Sequence, residues 1–476
     1  MEVEKRTNND TGTMAPNSGQ KNLPQKAAEH FSGQSSEWHP KVFIKTFGCQ
    51  MNDRDSEIIK GMLLDAGYEF TDNPDDAGVV FFNTCSVRQK AEDKVAGNLQ
   101  RLAARKKKDP DLIIGVLGCM GQRHGEMLLK EFPHVNIVAG PSNIYDIPGL
   151  IEKAAAGEKG LAVDASRRPK KGEDRSFREN GLSAFVNIMY GCDNFCSYCI
   201  VPYVRGREVS RPVKDIVNEV RTLAASGIKE VTLLGQNVNS YGKGQAQRID
   251  FADLLAAVNK VEGVERIRFT TSHPKDAGKK LFEAMRGLDK VCGHIHLPVQ
   301  SGSNKILDLM NRGYTSEEYR DKVGLLRQIV PGVGITTDII VGFPSEKVSD
   351  YSATHKIIED VRYNAAFIFK YSPRPPALSA CLVDDVPDEI KKERNNELLK
   401  LQKKISHEKN KEMIGSVKEI LIEGVSRMSE NELVGRARDN TPCVFPGKPD
   451  LIGTLVNVKI TGASPFTLKG DIEGQG

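Results

Sequence analysis

The residues of this chain best suited to chemistry are cysteines, and they occur in two arrangements. Gly191-Cys192-Asp193-Asn194-Phe195-Cys196-Ser197-Tyr198-Cys199 sets three thiols in a C-x3-C-x2-C loop. A loop this compact can wrap its sulfurs around one face of a cubane iron–sulfur cluster. Three protein ligands for four irons leave one iron with an open coordination position, which is what substrate binding requires. Zinc is the rival occupant, but its structural sites take four ligands from paired C-x2-4-C units, and no nearby fourth Cys or His completes one. The plainest alternative is three thiols packed in a turn.

Cys49, Cys85 and Cys119 lie far apart in sequence, yet each directly follows an apolar run: KTFGC, FFNTC and VLGC. Read as strands of one parallel sheet, these runs end on the same edge, where ligands bind. Three cysteines then converge on one crevice, and a second three-cysteine cluster with an open iron is expected. Gly48 and Gly118 precede two of them and let the backbone turn tightly under a bulky ligand. Against this, a buried cysteine at a strand end is also an ordinary small apolar residue. Cys292, Cys381 and Cys443 have no partner pattern and are expected as ordinary thiols.

The elements that must position these groups follow from periodicity. KVFIKTF, GVVFFNT, DLIIGVLG and VNIVAG read as strands, with helices over 53–66 and 87–108 and a last helix N-capped by Ser142. That alternation predicts a parallel α/β sheet domain over 41–157. Residues 158–177 are charged and Gly/Pro-punctuated, and read as a linker. A longer βα alternation follows over 178–410. Its strands are SAFVNIMYG, EVTLLGQ, ERIRFTT, HIHLPVQ, GVGITTDIIVGF and AAFIFKYS; its helices cover 213–226, 251–261, 276–287, 303–329 and 347–361. Six units are fewer than the eight of a closed barrel, so a partial (β/α)6 barrel is expected, with a doubly wound open sheet as the alternative. Residues 388–413 read as a long basic helix. Short alternating strands over 411–474 predict a small β-barrel.

Composition narrows the class. The 476 residues carry 67 Lys+Arg against 63 Asp+Glu, a net charge of +4. This excludes a polybasic binder and an acidic tail protein, while leaving room for a local nucleic-acid patch. The apolar runs are far short of a membrane span. Residues 1–40 have no apolar signal segment and read as a disordered leader. With no export signal visible, a reducing, cytoplasmic setting is expected for the cysteines, and their odd count in a long chain argues against a disulfide framework.

The cysteine loop, followed by Ile200-Val201-Pro202 and Arg205-Gly206-Arg207, resembles the radical S-adenosylmethionine superfamily. Lys45 to Glu57 (KTFGCQMNDRDSE), Asn83 to Glu92 (NTCSVRQKAE), Thr271-Ser272-His273-Pro274 and His296 to Ser303 (HLPVQSGS) resemble the methylthiotransferases. Within them they are similar to the tRNA branch that modifies isopentenylated adenosine beside the anticodon. The ribosomal-protein branch usually has Gly-Cys-Pro-Lys-Asn where Gly48-Cys49-Gln50-Met51-Asn52 stands. The terminal barrel resembles a TRAM RNA-binding domain. The likeness runs from about residue 41 to 474.

The resemblance implies two [4Fe-4S] clusters, one on Cys192, Cys196 and Cys199 and an auxiliary one on Cys49, Cys85 and Cys119. It implies S-adenosylmethionine chelated by the open iron of the first and cleaved to a 5′-deoxyadenosyl radical, and two uses of that cofactor to place a methylthio group on carbon 2 of the adenine. It further implies a tRNA anticodon stem-loop as partner and an electron donor of the flavodoxin or ferredoxin kind; a monomer with no membrane association is the default. The two crevices must face each other. Gln236 and Asn237 follow the second barrel strand, where the superfamily binds the cofactor's amino group, although a polar turn would look the same. Ser272, Gln300 and Asp338 also lie at strand carboxyl ends and are candidates for cofactor or tRNA contact. Arg205 is a candidate for phosphate or the cofactor carboxylate.

Charge alone does not mark the terminal block as an RNA binder, since residues 412–476 hold seven Lys+Arg and nine Asp+Glu. Arg436 and Arg438 share a strand face and are its local candidates for phosphate contact. The basic helix is the stronger candidate: residues 391–413 carry eight Lys+Arg and four Glu, Lys403 and Lys404 among them. The chain departs from the family pattern at Pro376-Ala377, where Gly-Thr is usual, so no contact by that threonine is carried over. It departs again over residues 345–350, at a helix start. The alternative functions are methylthiolation of a ribosomal-protein aspartate and a non-catalytic metal-cluster RNA-binding scaffold.

Overall fold

A computed structural model describes residues 40–86, 89–167, 181–244 and 249–474. The leader before Pro40, the expected helix start at Val87 and the stretch 168–177 lie outside the described residues.

Strands β1 (Val42–Phe47), β2 (Val79–Thr84), β3 (Ile113–Gly118), β4 (Ile137–Ala139) and β5 (Gly160–Ala162) form one sheet in that order, parallel throughout. Central strands of such a sheet are covered on both faces and need apolar residues at every position. Accordingly β2 and β3 are buried along their whole length. Val79 and Phe81 pack into the core on one face, Val80 and Phe82 into the core on the other. The fifth strand falls in the stretch read as a linker; three residues are too few to show a period, and only pairing with β4 defines them. Ser142 does not cap the last helix. It sits inside a 3-10 turn (Pro141–Asp146) that leads into the helix Ile147–Ala155.

Strand β6 (Ser183–Asn187) begins the next layer, followed by a short antiparallel pair, β7 (Met189–Tyr190) with β8 (Val209–Ser210). Strands β9 (Glu230–Leu234) and β10 (Arg266–Thr270) run parallel to β6, in the order β10-β9-β6. Strands β11 (His294–His296), β12 (Gly334–Val341) and β13 (Ala365–Lys370) form a second parallel trio. A single parallel bridge, Ile267 to Val291, links the trios, and one hydrophobic core fills both. Six parallel strands in sequence order around one core are the partial barrel expected. The helix expected over 303–329 is two helices, Asn304–Leu309 and Ser316–Ile329. Asn311 and Gly313 between them adopt positive φ (55° and 65°), which a helix does not tolerate.

The helix Asp388–Lys411 lies against β13, burying Leu398, Gln402 and Ile405. Strands β14 (Val417–Ser426), β15 (Ser429–Ala437), β16 (Pro442–Pro446), β17 (Leu455–Ala463) and β18 (Leu468–Ile472) close a barrel in the order β14-β15-β16-β18-β17. Among the described residues no helix is long and apolar enough to cross a membrane.

Candidate functional site

Cys49, Cys85 and Cys119 each stand one or two residues past β1, β2 and β3, which are adjacent and in register, so the three reach the same edge of the sheet. Cys49 occupies the N-cap of the helix Gln50–Asp65, with its Sγ 3.4 Å from Asn52 Oδ1. Asn52 Nδ2 donates to Asn83 Oδ1 (3.1 Å), while Asn83 Nδ2 donates to Asn52 O and Ser56 Oγ (both 2.9 Å). This buried network locks the β1 loop to the end of β2. The two glycines are required by close approach. A Cβ on Gly48 would meet Cys85 Cβ at 2.9 Å, and one on Gly118, at φ 81°, would meet Asn83 Oδ1 at 2.3 Å. Cys49 is within hydrogen-bonding reach of Cys85, and this contact, aided by the charge of Arg205, outweighs local desolvation and lowers its thiol to about 6. Burial pushes the Cys119 thiol up.

The C-x3-C-x2-C loop leaves β7 and is fastened at several points. Cys192 N–H donates to Gly206 O (3.2 Å), Ser197 N–H to Met310 O (3.0 Å) and Ser197 Oγ to Leu309 O (2.7 Å). Burial pushes the Cys192 thiol up to about 11 and Cys199 up to about 12. Arg312, fully buried, donates to Cys196 Sγ at 3.1 Å and to Pro298 O at 3.0 Å. His273 Nε2 is 3.9 Å from the same sulfur, and burial next to Arg312 keeps its ring far below the usual histidine pKa, hence neutral. Periodicity gave no sign of Arg312; it stands in the helix break after Leu309.

The barrel mouth around this loop is polar and under-satisfied. Gln236 Oε1, Ser272 Oγ, Gln300 Oε1 and both side-chain polar atoms of Asn187 are buried without a hydrogen-bond partner among the described residues. All stand at the carboxyl ends of β6, β9, β10 and β11 or just past them. Buried polar groups are normally paired, so a run of orphans on one rim marks a place for a polar ligand. Asn237 differs: its Nδ2 donates to Asp276 (2.7 Å) and its Oδ1 accepts from His273 N–H (3.2 Å), so it braces the β10 loop. Asp338 is half-exposed, 3.2 Å from His296 Nε2. Among the described residues no three His, Cys, Asp or Glu close on a single metal ion. Three thiols on one loop and orphaned polar groups on the rim fit a larger, cofactor-linked cluster in donor type.

The two cysteine groups share one interface. Cys119 packs with Ile200 and Val204, the residues that follow Cys199. Arg205 is buried, donates to Asp55 Oδ2 at 2.8 Å and lies within hydrogen-bonding reach of Cys119. Among the described residues its guanidinium therefore serves the first group. Arg54 reaches Glu219 (2.8 Å), Arg374 reaches Gln89 (2.7 Å), and Arg123 donates to Pro375 O (3.2 Å), so the loop with the unusual Pro376-Ala377 is tied to the first sheet domain. Buried Glu92 lies beneath that loop. Burial would raise its carboxyl, but hydrogen bonds from His124 and Arg123 hold it below its ordinary value. A shallow cleft runs from Asp55 and Arg205 to Tyr190 and Gly191, the residues just before Cys192.

The RNA candidates separate. Lys403 and Lys404 are exposed. Arg436 pairs with Glu423 (3.3 Å) and remains part-exposed. Arg438 donates to the carbonyls of Asp289 and Val291 and so docks the terminal barrel on the central one.

Residues 41–140 match the uncharacterized protein family UPF0004, 186–358 the radical SAM superfamily and 411–472 the TRAM domain. A tRNA-2-methylthio-N(6)-dimethylallyladenosine synthase of Clostridium beijerinckii is 48% identical, over 93% of this chain and 98% of that protein. One of the same name from a Thermoanaerobacter species is 47% identical over 95% and 96%. In fold, the chain is similar to a radical S-adenosylmethionine methyltransferase of Kitasatospora setae solved with cobalamin and a [4Fe-4S] cluster. The TM-score is 0.54 at 14% identity, over 80% of each chain.

Proposed function

The chain belongs to the tRNA-2-methylthio-N(6)-dimethylallyladenosine synthase family, and on that basis we propose how its residues carry out tRNA methylthiolation. It is a radical S-adenosylmethionine tRNA methylthiotransferase. The observation that carries the finer reading is the shared interface, in which Cys119 packs on the residues that follow Cys199. Cys192, Cys196 and Cys199 hold one [4Fe-4S] cluster and Cys49, Cys85 and Cys119 a second. When bound, these clusters and S-adenosylmethionine supply the radical and the methylated sulfur that the adenine carbon receives.

The chain's own residues do the rest. Gln236, Ser272 and Gln300 offer their orphaned polar atoms to the amino acid and ribose ends of S-adenosylmethionine. Arg312 orients Cys196 and keeps a positive charge beside its sulfur. The raised Cys192 and Cys199 thiols hold their protons until a metal takes their place, so loading them releases protons. The loop around Arg374 and Pro375, fastened to Glu92, Gln89 and Arg123, closes one side of the interface against water. The exposed Lys403 and Lys404 hold the tRNA backbone, and the TRAM barrel borders the RNA. An adenine must leave its stack to reach the cleft, as bases in loops readily do. The division into 41–157, 178–410 and 411–474 belongs to the same proposal, with β5 extending the first unit. So do an external one-electron donor, a monomer and cytoplasmic residence.

The test is to supply unmodified isopentenylated tRNA and, separately, the ribosomal-protein substrate with S-adenosylmethionine and reductant. Methylthio product on the tRNA alone supports the reading; product on the protein refutes it. A chain that binds tRNA but makes no 5′-deoxyadenosine would be a scaffold.

A further inference from the structure

Arg205 comes from the segment that follows the C-x3-C-x2-C loop, yet its guanidinium serves the other cysteine group. It is 6% exposed, donates to Asp55 Oδ2 at 2.8 Å, and lies near Cys119 and Cys49. Asp55, 3% exposed, stands on the helix that Cys49 caps. An arginine and an aspartate buried together are costly unless their geometry is used. Both also line the cleft that leads to Gly191.

We infer that Arg205 and Asp55 are a pair of positioning residues that set the reduction potential of the group held by Cys49, Cys85 and Cys119. The inference rests on the reading that those cysteines hold a cluster. A three-thiolate cluster is anionic, and adding an electron to it is eased by a nearby positive charge and opposed by a nearby negative one. Arg205 supplies the first and Asp55 attenuates it. Because Arg205 is carried by the neighbouring domain, the potential is correct only when the domains are docked.

The experiment is an anaerobic redox titration of the iron-loaded full chain, followed by electron paramagnetic resonance. The first-group signal is assigned from a chain carrying Cys192→Ala, Cys196→Ala and Cys199→Ala. In Arg205→Met the ratio of reduced to oxidised first-group cluster at fixed potential falls about tenfold, about 59 mV for a one-electron couple. Arg205→Lys restores most of it. Asp55→Asn, which keeps the arginine, shifts the titration the opposite way, and the second-group signal moves less in every variant. An unchanged first-group titration in both Arg205→Met and Asp55→Asn overturns the inference, as does an equal shift of both signals. A wild-type chain with no iron on the first group would instead sink the underlying reading, and is recognised before any titration by its iron content.

Discussion

Replacing Arg266 with Met should loosen the terminal barrel without unfolding the centre. Arg266 stands on β10 and is wholly buried, and it donates to Arg436 O at 2.6 Å and to Glu419 O and Oε1, each at 2.9 Å. Met fills the stem but leaves two backbone carbonyls of β14 and β15 without their donor. Glu419 is 39% exposed, so its carboxylate recovers much of the loss from water and is worth at most about 1 kcal/mol. The two carbonyls, each accepting from a charged donor, are worth about 1.5 kcal/mol apiece, the lower end for such bonds. The sum, about 3 kcal/mol, corresponds to roughly a hundredfold rise in the undocked population. Amide exchange in β14 and β15, read in the range where opening is reversible, should quicken by about that factor, while β9 and β12 keep their protection. Glu419→Ala should change it less than tenfold. Wild-type exchange rates in Arg266→Met would refute the idea that this arginine holds the barrel in place.

Gln300→Leu removes an orphaned buried carbonyl from the barrel mouth and should weaken S-adenosylmethionine binding about tenfold by calorimetry, with iron content unchanged. Lys403→Ala with Lys404→Ala should weaken tRNA binding across sequences and lower the slope of log K against log salt by about two, as two lost phosphate contacts require. Lys409 donates to Arg362 O and Asn364 Oδ1, and burial lowers its pKa to about 8. The unfolded chain therefore binds more protons than the folded one between about pH 8 and the ordinary lysine pKa, so stability from this group rises with pH across that window. The stability of the wild-type chain relative to Lys409→Met, followed by denaturant titration, should rise from pH 8 to pH 10; a flat difference would contradict the shift.

Much of this was legible in the sequence because strand ends and loops carry strong local signals. The placement of Cys49, Cys85 and Cys119 followed from three apolar runs and a rule about parallel sheets, and Gly48 and Gly118 marked the tight approach beneath them. Strand β5 was missed because three residues carry no period, and the break at Asn311 because the flanking apolar spacing continues through it. Partners across domains were not legible at all. Arg205 and Arg438 looked like free cations on their own elements, but a side chain of this length finds its partner in tertiary packing. Asp55 for one, and the carbonyls of Asp289 and Val291 for the other, lie about 150 residues away. Orphaned polar atoms at Gln236, Ser272 and Gln300 likewise emerge only when burial is known.

The central claim is that two separate cysteine groups each hold a four-iron cluster and do different work. Iron and sulfide content, measured anaerobically on three chains with 5′-deoxyadenosine formation alongside, tests it most directly. The wild type should hold about eight of each and form 5′-deoxyadenosine. The chain with Cys49, Cys85 and Cys119 replaced by Ala should hold about four, still form 5′-deoxyadenosine, and make no methylthio product. The chain with Cys192, Cys196 and Cys199 replaced should hold about four and form none. A wild type with about four irons, or a first-group variant that loses no iron, would contradict the account.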